Sequence, residues 1–137
     1  MIDHVTLRND LRRDEGVRRF PYHDTAGKLT IGCGRNLTDN GLSDDEADYL
    51  LDNDINRTIK ELCLSFEWFG FLSPNRKLAI INMAFNMGVP KLGGFKKMIR
   101  AIESGHYKRA ALEALDSRWA KQVGNRALRI SRMIEEG

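Results

Sequence analysis

Apolar side chains recur at helical spacing through most of the chain and alternate with period two in one short stretch near its start. Val5, Leu7 and Leu11 form the apolar side of a helix predicted over residues 3–14, with Asp3 as its cap and Gly16 closing it. Glu15 then falls at the C-terminal end of that helix. The segment Phe20-Pro21-Tyr22-His23, a turn centred on Ala26-Gly27 and the run Leu29-Thr30-Ile31-Gly32-Cys33-Gly34 predict a β-hairpin. Alternation puts Leu29, Ile31 and Cys33 on one face and Thr30, Gly32 and Gly34 on the other, so the Thr30 face is expected to be bare of large side chains.

Ser43-Asp44-Asp45-Glu46 is a capping box with three acids in the first turn, where the helix dipole favours negative charge. Ala47, Leu51, Ile55, Ile59, Leu62 and Phe66 continue from it at helical spacing, predicting a helix of about 23 residues, roughly 34 Å long at 1.5 Å per residue. A helix of that length can link two lobes. Ser73-Pro74 supplies a cap and a first-position proline for another helix, and residues 78–87 are apolar on nearly every side before Gly88. That segment is the expected central core helix. Shorter amphipathic helices are predicted over residues 95–104, over residues 107–115, at Ser117-Arg118-Trp119, and over residues 125–135 with Asn125 as cap. The pattern implies an α+β, mostly α fold in a single domain, residues 1–137. Its small hairpin lobe, about 16–45, is joined by the long helix to a helical lobe, about 66–137, that includes the N-terminal helix. A junction of two lobes is a natural cleft.

Composition adds few constraints. A chain of 137 residues buries a sizeable core without disulfides. Cys33 and Cys63 are the only thiols, and they are expected to be free. The start of the chain lacks the basic and apolar regions of a secretory signal, and no segment has the roughly 20 apolar residues that span a bilayer, so synthesis in the cytoplasm without membrane insertion is expected. The net charge of +3 hides an asymmetry: residues 1–69 carry 9 Lys/Arg and 14 Asp/Glu, residues 70–137 carry 13 and 5. A basic half attracts polyanions, and nucleic acid, anionic lipid and bacterial wall all qualify.

Candidate chemistry starts from paired acids. Glycoside hydrolysis needs a protonated carboxyl beside the leaving oxygen and a second carboxylate to direct water or attack the sugar. Glu15 sits where the negative end of a helix dipole opposes ionisation, whereas Asp24 lies in a solvated turn that favours it. The chain holds 19 acids, most of them surface charges, so this argument alone does not select the pair. His4, His23, His106 and the cysteines show no metal-ligand spacing, and no metal or other cofactor is expected. Gly32-x-Gly34-x-x-Leu37 lacks the third glycine of a dinucleotide loop.

Ordered motifs sharpen the choice. Asp14-Glu15-Gly16, Asp24-Thr25-Ala26-Gly27 and residues 30–37, Thr-Ile-Gly-Cys-Gly-Arg-Asn-Leu, are followed by residues 79–88, Gly94-Phe95, Ser117-Arg118-Trp119 and Asn125-Arg126-Ala127. In this order they resemble the phage T-even-type lysozymes of glycoside hydrolase family 24 over nearly the whole chain. The resemblance implies a lysozyme-like fold and an endolysin or muramidase that cuts the β-1,4 bond between N-acetylmuramic acid and N-acetylglucosamine in peptidoglycan. It implies Glu15 as proton donor, with Asp24 and Thr30 holding the attacking water, and an inverting outcome. Arg126 matches an arginine that pairs with the glutamate across the cleft, Arg118 one near bound glycan, and Phe85 and Asn86 positions that line the cleft. For Phe85 a core position is the competing reading, and for the arginines a solvated basic face.

The expected partner is therefore the peptidoglycan glycan strand, met by a monomer that reaches the wall through a separate pore-forming holin. The chain departs from the family pattern at Arg35, where a histidine is usual, and in a shorter small lobe between Asn36 and Ser43. Two rival readings stand beside the enzyme. One is a basic helical module that binds nucleic acid through the C-terminal half, although no DNA-binding signature is present. The other is a catalytically silent glycan-binding relative.

Overall fold

The computed structural model describes all 137 residues. They divide into two units, Met1–Tyr49 and Leu50–Gly137. In the first, α1 (His4–Glu15) starts where Asp3 accepts bonds from the Thr6 N–H at 3.1 Å and the Thr6 hydroxyl at 2.7 Å. It ends where Gly16, at φ +73°, returns its N–H to the Arg12 carbonyl. A three-stranded antiparallel sheet follows in the order β1 (Arg18–His23), β2 (Leu29–Gly32), β3 (Arg35–Asn36). Tyr22 and Asn36 flank Thr30 from either side, and an irregularity lies between Arg18 and Tyr22. Arg18 reaches back over the Tyr22 ring, 4.4 Å from its centroid.

Two small elements were not expected from the sequence. β3 has two residues and the helix α2 (Leu37–Asn40) four, both too short to carry a hydrophobic period. The cap of α2 is Asn36, whose side chain accepts from the Asp39 N–H at 3.0 Å. The expectation of a bare Thr30 face is also corrected. Thr30 is buried at 4 % exposure, while Leu29 and Cys33 on the opposite face are exposed. Residues directly opposed on neighbouring strands point to the same face, so Tyr22 and Asn36 cover a position that Gly32 and Gly34 alone would have left open.

The unit boundary falls inside α3 (Asp44–Ser65), the long helix expected from the capping box. That box forms in both directions: Ser43 N–H to Glu46 Oε1 at 2.9 Å, and Glu46 N–H to Ser43 Oγ at 3.2 Å. A 3-10 helix over Glu67–Phe71 leads to α4 (Pro74–Met87), capped by Ser73. Then come α5 (Val89–Leu92), α6 (Lys96–Glu103), α7 (Tyr107–Leu115), α8 (Arg118–Val123) and α9 (Asn125–Glu136). α7 packs on α6 and α9, and α4 on α9, around a core that includes Leu62, Ile80, Met83, Leu92, Met98, Ile130 and Ile134.

As expected, α4 enters the core, but on one side only. Ala79, Ile80, Met83 and Ala84 are buried, whereas Leu78 and Phe85 remain exposed. Asn125 is the first residue of α9 and not its cap. The cap is Gly124, at φ +58° and without a side-chain bond. Both cysteines are free, and no helix is long and apolar enough to cross a membrane.

Candidate active site

In the first unit, Glu15 closes α1 and its side chain leans over Gly34, in the turn between β2 and β3. A Cβ at Gly34 would stand 3.4 Å from Glu15 Oε2 and 3.6 Å from its Cδ. Gly34 also has φ +78°, a backbone region costly for any side chain, so it is the turn that demands glycine, while a side chain there would meet the Glu15 carboxyl at ordinary contact distance.

Asp24 lies in the loop between β1 and β2, held by its own turn. Its Oδ1 accepts from the N–H groups of Ala26 at 2.9 Å and Lys28 at 2.8 Å, and its backbone N–H donates to the Lys28 carbonyl at 2.9 Å. The second carboxylate oxygen takes no bond from the protein. The Thr30 hydroxyl donates to the same Lys28 carbonyl at 2.9 Å. Its proton is thereby committed, and the oxygen presents lone pairs. Both peptide groups of Lys28 thus tie Asp24 to Thr30, a role of main-chain atoms that no residue-type pattern reveals.

Arg35 follows Gly34. Its guanidinium donates to Glu46 Oε1 at 2.8 Å, to Glu46 Oε2 at 2.5 Å and to the Gly41 carbonyl at 3.2 Å. The forked pair holds the Glu46 carboxyl down at about 2, helped by the Ser43 N–H, and holds the Arg35 guanidinium above its ordinary value. The departure from the family pattern at Arg35 therefore comes with its own acidic partner. Glu46 was legible only as a capping residue.

In the second unit, Asn86 Oδ1 accepts the indole N–H of Trp119 at 2.9 Å. Trp119 is buried at 7 % exposure and meets Phe95 edge to face, which orients it as a core residue. Trp68 stacks on Phe66, with centroids 5.1 Å apart. Arg126 Nε donates to Asn82 Oδ1 at 2.9 Å, so α9 and α4 together fix this arginine. Phe85 is 42 % exposed and is not a core residue. It borders, with Asn82 and Arg126, a hollow of about 410 Å³. Arg118, the first residue of α8, is exposed and makes no side-chain bond or ion pair within the protein. The structure thus gathers Asp24 with Thr30, and Phe85 with Arg126, and leaves Arg118 solvated.

A mostly helical α+β chain that places a small antiparallel sheet between its first helix and the remaining ones has the architecture of lysozyme-like proteins. The likeness extends to sequence. The phage lysozyme family model matches residues 12–134, and the chain belongs to that family. It is 31 % identical to a probable T4-type lysozyme 2 of Dictyostelium discoideum, over 96 % of this chain and 95 % of that protein. A probable T4-type lysozyme 1 of the same organism is 29 % identical over similar shares. The pre-baseplate central spike protein Gp5 of Enterobacteria phage T4 is 30 % identical over 97 % of this chain but only 28 % of its own length. The alignment with the first of these runs to 162 positions, more than the 137 residues here, so that relative carries insertions this chain lacks. Family membership makes the protein a glycoside hydrolase, a muramidase-type hydrolase of peptidoglycan.

Proposed function

We propose that Glu15 protonates the leaving oxygen of the β-1,4 bond between N-acetylmuramic acid and N-acetylglucosamine, while Asp24 and Thr30 hold the water that attacks the anomeric carbon. The water would donate one hydrogen to the free oxygen of Asp24, which takes up the proton as the new C–O bond forms. Thr30 accepts the other hydrogen, and the electron pair of the broken bond leaves with the oxygen that Glu15 protonates. The observation that carries this reading is that Lys28 engages both residues, its N–H donating to Asp24 Oδ1 and its carbonyl accepting from the Thr30 hydroxyl, which leaves the other Asp24 oxygen and the Thr30 lone pairs as acceptors. Water attacking opposite the leaving group inverts the anomeric centre, so the first product formed is the α-anomer.

Phe85, Asn86, Arg118 and Arg126 are assigned to contacts with the glycan, the exposed Phe85 ring for a sugar face and the arginines for polar groups. The whole chain acts as one monomeric lysozyme domain on the cell wall, delivered from the cytoplasm through a separate pore.

The test incubates wild type, Glu15→Gln and Asp24→Asn with purified peptidoglycan and follows reducing ends, with NMR of the first anomer released. Loss of activity in both variants and an initial α-anomer are expected. Equal activity in all three, or none in wild type, overturns the assignment. An initial β-anomer overturns inversion alone.

A further inference from the structure

We propose that Arg35 is a positioning residue for hydrolysis: its clamp on Glu46 holds the turn between β2 and β3 against which the Glu15 carboxyl is seated. The proposal rests on the reading of Glu15 as the proton donor.

The turn has little of its own to hold it. β3 offers two residues, paired as Ile31 with Arg35 and Thr30 with Asn36, too short a ladder to be rigid. Gly32 and Gly34 both adopt positive φ, and glycine backbones are the most permissive of all. Yet Gly34 approaches Glu15 closely enough that a single carbon there would touch Oε2. The next residue in the chain supplies the missing restraint. Arg35 bridges to Glu46, in the first turn of α3, through both carboxylate oxygens, and to the Gly41 carbonyl after α2. Glu46 is fixed in turn by the capping box with Ser43. One guanidinium thus joins the end of the turn to two later segments.

The pair is about 40 % exposed on each side, 39 % for Arg35 and 40 % for Glu46, so its worth to overall stability is small. Placement of an acid is far more sensitive, since a displacement of about 1 Å can cost on the order of a hundredfold in rate. A clamp that orients Glu15 therefore changes turnover more than it changes folding. Lysine cannot replace it, because a single ammonium lacks the planar fork that spans both Glu46 oxygens.

The experiment measures kcat and KM for reducing-end release from purified peptidoglycan, across pH, for wild type, Arg35→Lys, Glu46→Gln and Glu15→Gln, with urea unfolding of each. Arg35→Lys and Glu46→Gln are expected to lower kcat by about tenfold, with KM near wild type, a displaced pH–rate profile and unfolding midpoints close to wild type. Their double variant is expected to be no worse than either single, as partners in one clamp must be. Wild-type kcat in both single variants, a rise in KM alone, or a loss that follows the folded fraction overturns the proposal. If Glu15→Gln itself keeps wild-type activity, the assignment of the acid falls and this proposal with it. An inactive Glu15→Gln beside fully active clamp variants overturns only the clamp.

Discussion

Trp119 donates its indole N–H to Asn86 Oδ1 at 2.9 Å while the ring itself lies in the core, so a residue assigned to the glycan is also the polar anchor of a buried tryptophan. A buried donor stripped of its acceptor costs about 1–3 kcal/mol. Asn86→Leu should therefore destabilise the helical unit by about that amount, and Asn86→Asp, which keeps an acceptor in place, by clearly less. Urea unfolding of both variants measures the difference. Equal losses would mean that the Trp119 bond is not what Asn86 contributes.

Two glycines allow strain and contact to be separated. Gly27 and Gly34 have nearly the same backbone angle, φ +79° and +78°, but a Cβ at Gly27 meets nothing within 4 Å while one at Gly34 meets Glu15. Alanine at either site pays the left-handed conformation, roughly 1–2 kcal/mol. Only Gly34→Ala also brings a methyl group into contact with the Glu15 carboxyl, the proposed proton donor. The two variants should lose similar stability, and Gly34→Ala should lose far more lytic activity per folded molecule. Peptidoglycan hydrolysis, normalised to the folded fraction from circular dichroism, makes the comparison, and equal specific activities would sink it.

Local signals account for what was legible in the chain. Asp3, Gly16, the Ser43–Glu46 box, Ser73-Pro74 and Gly88 act within one turn of themselves, and each bounds a helix as expected. Where chemistry within a turn misled, a competing residue won: Gly124 took the cap position expected of Asn125 because glycine accepts φ +58° freely. β3 and α2 escaped because neither is long enough to show a period. The site was legible in a different way. Helix-end position made Glu15 plausible, but only ordered resemblance singled it out among 19 acids. Its surroundings are non-local, with Arg35 meeting Glu46 eleven residues on and Arg126 meeting Asn82 forty-four residues back, distances over which no spacing rule operates.

Arg76 makes the same point for stability. From the first turn of α4 its Nε donates to the Ile134 carbonyl at 2.6 Å and its Nη2 to the Glu135 carbonyl at 2.9 Å, while its guanidinium lies 3.5 Å from the centre of the Tyr107 ring. It satisfies carbonyls at the end of α9 that have no helical partner, and it places positive charge where that dipole end favours it. Bonds from charged groups are worth about 1.5–3 kcal/mol, and ring stacking about 0.5–2 kcal/mol. Arg76→Ala is expected to cost roughly 2 kcal/mol or more on those figures, and Arg76→Lys an intermediate amount, since it keeps the charge but loses the fork and the plane. Thermal or urea unfolding decides. A neutral Arg76→Ala would show that α9 ends without this support.

The Arg35–Glu46 pair predicts a particular dependence of stability on pH. In the folded protein the Glu46 carboxyl is held down at about 2, against an ordinary value of 4.5 when unfolded. Between these values the unfolded chain binds the proton and the folded one resists it, so stability must fall as pH falls. The contribution is fully present above about pH 4.5 and is lost progressively toward pH 2. Arg35 is charged throughout this window and adds no slope of its own. Asp3, also held below its ordinary value by its bonds to Thr6, contributes in the same sense, but equally with and without Glu46. Subtracting the unfolding free energy of Glu46→Gln from that of wild type therefore isolates the pair. The difference should be level above about pH 5 and shrink as the solution is acidified through the window. Constant ionic strength is needed, because a pair this exposed is screened by salt. A difference that widens on acidification would mean that the Glu46 carboxyl is not held in its charged form by Arg35.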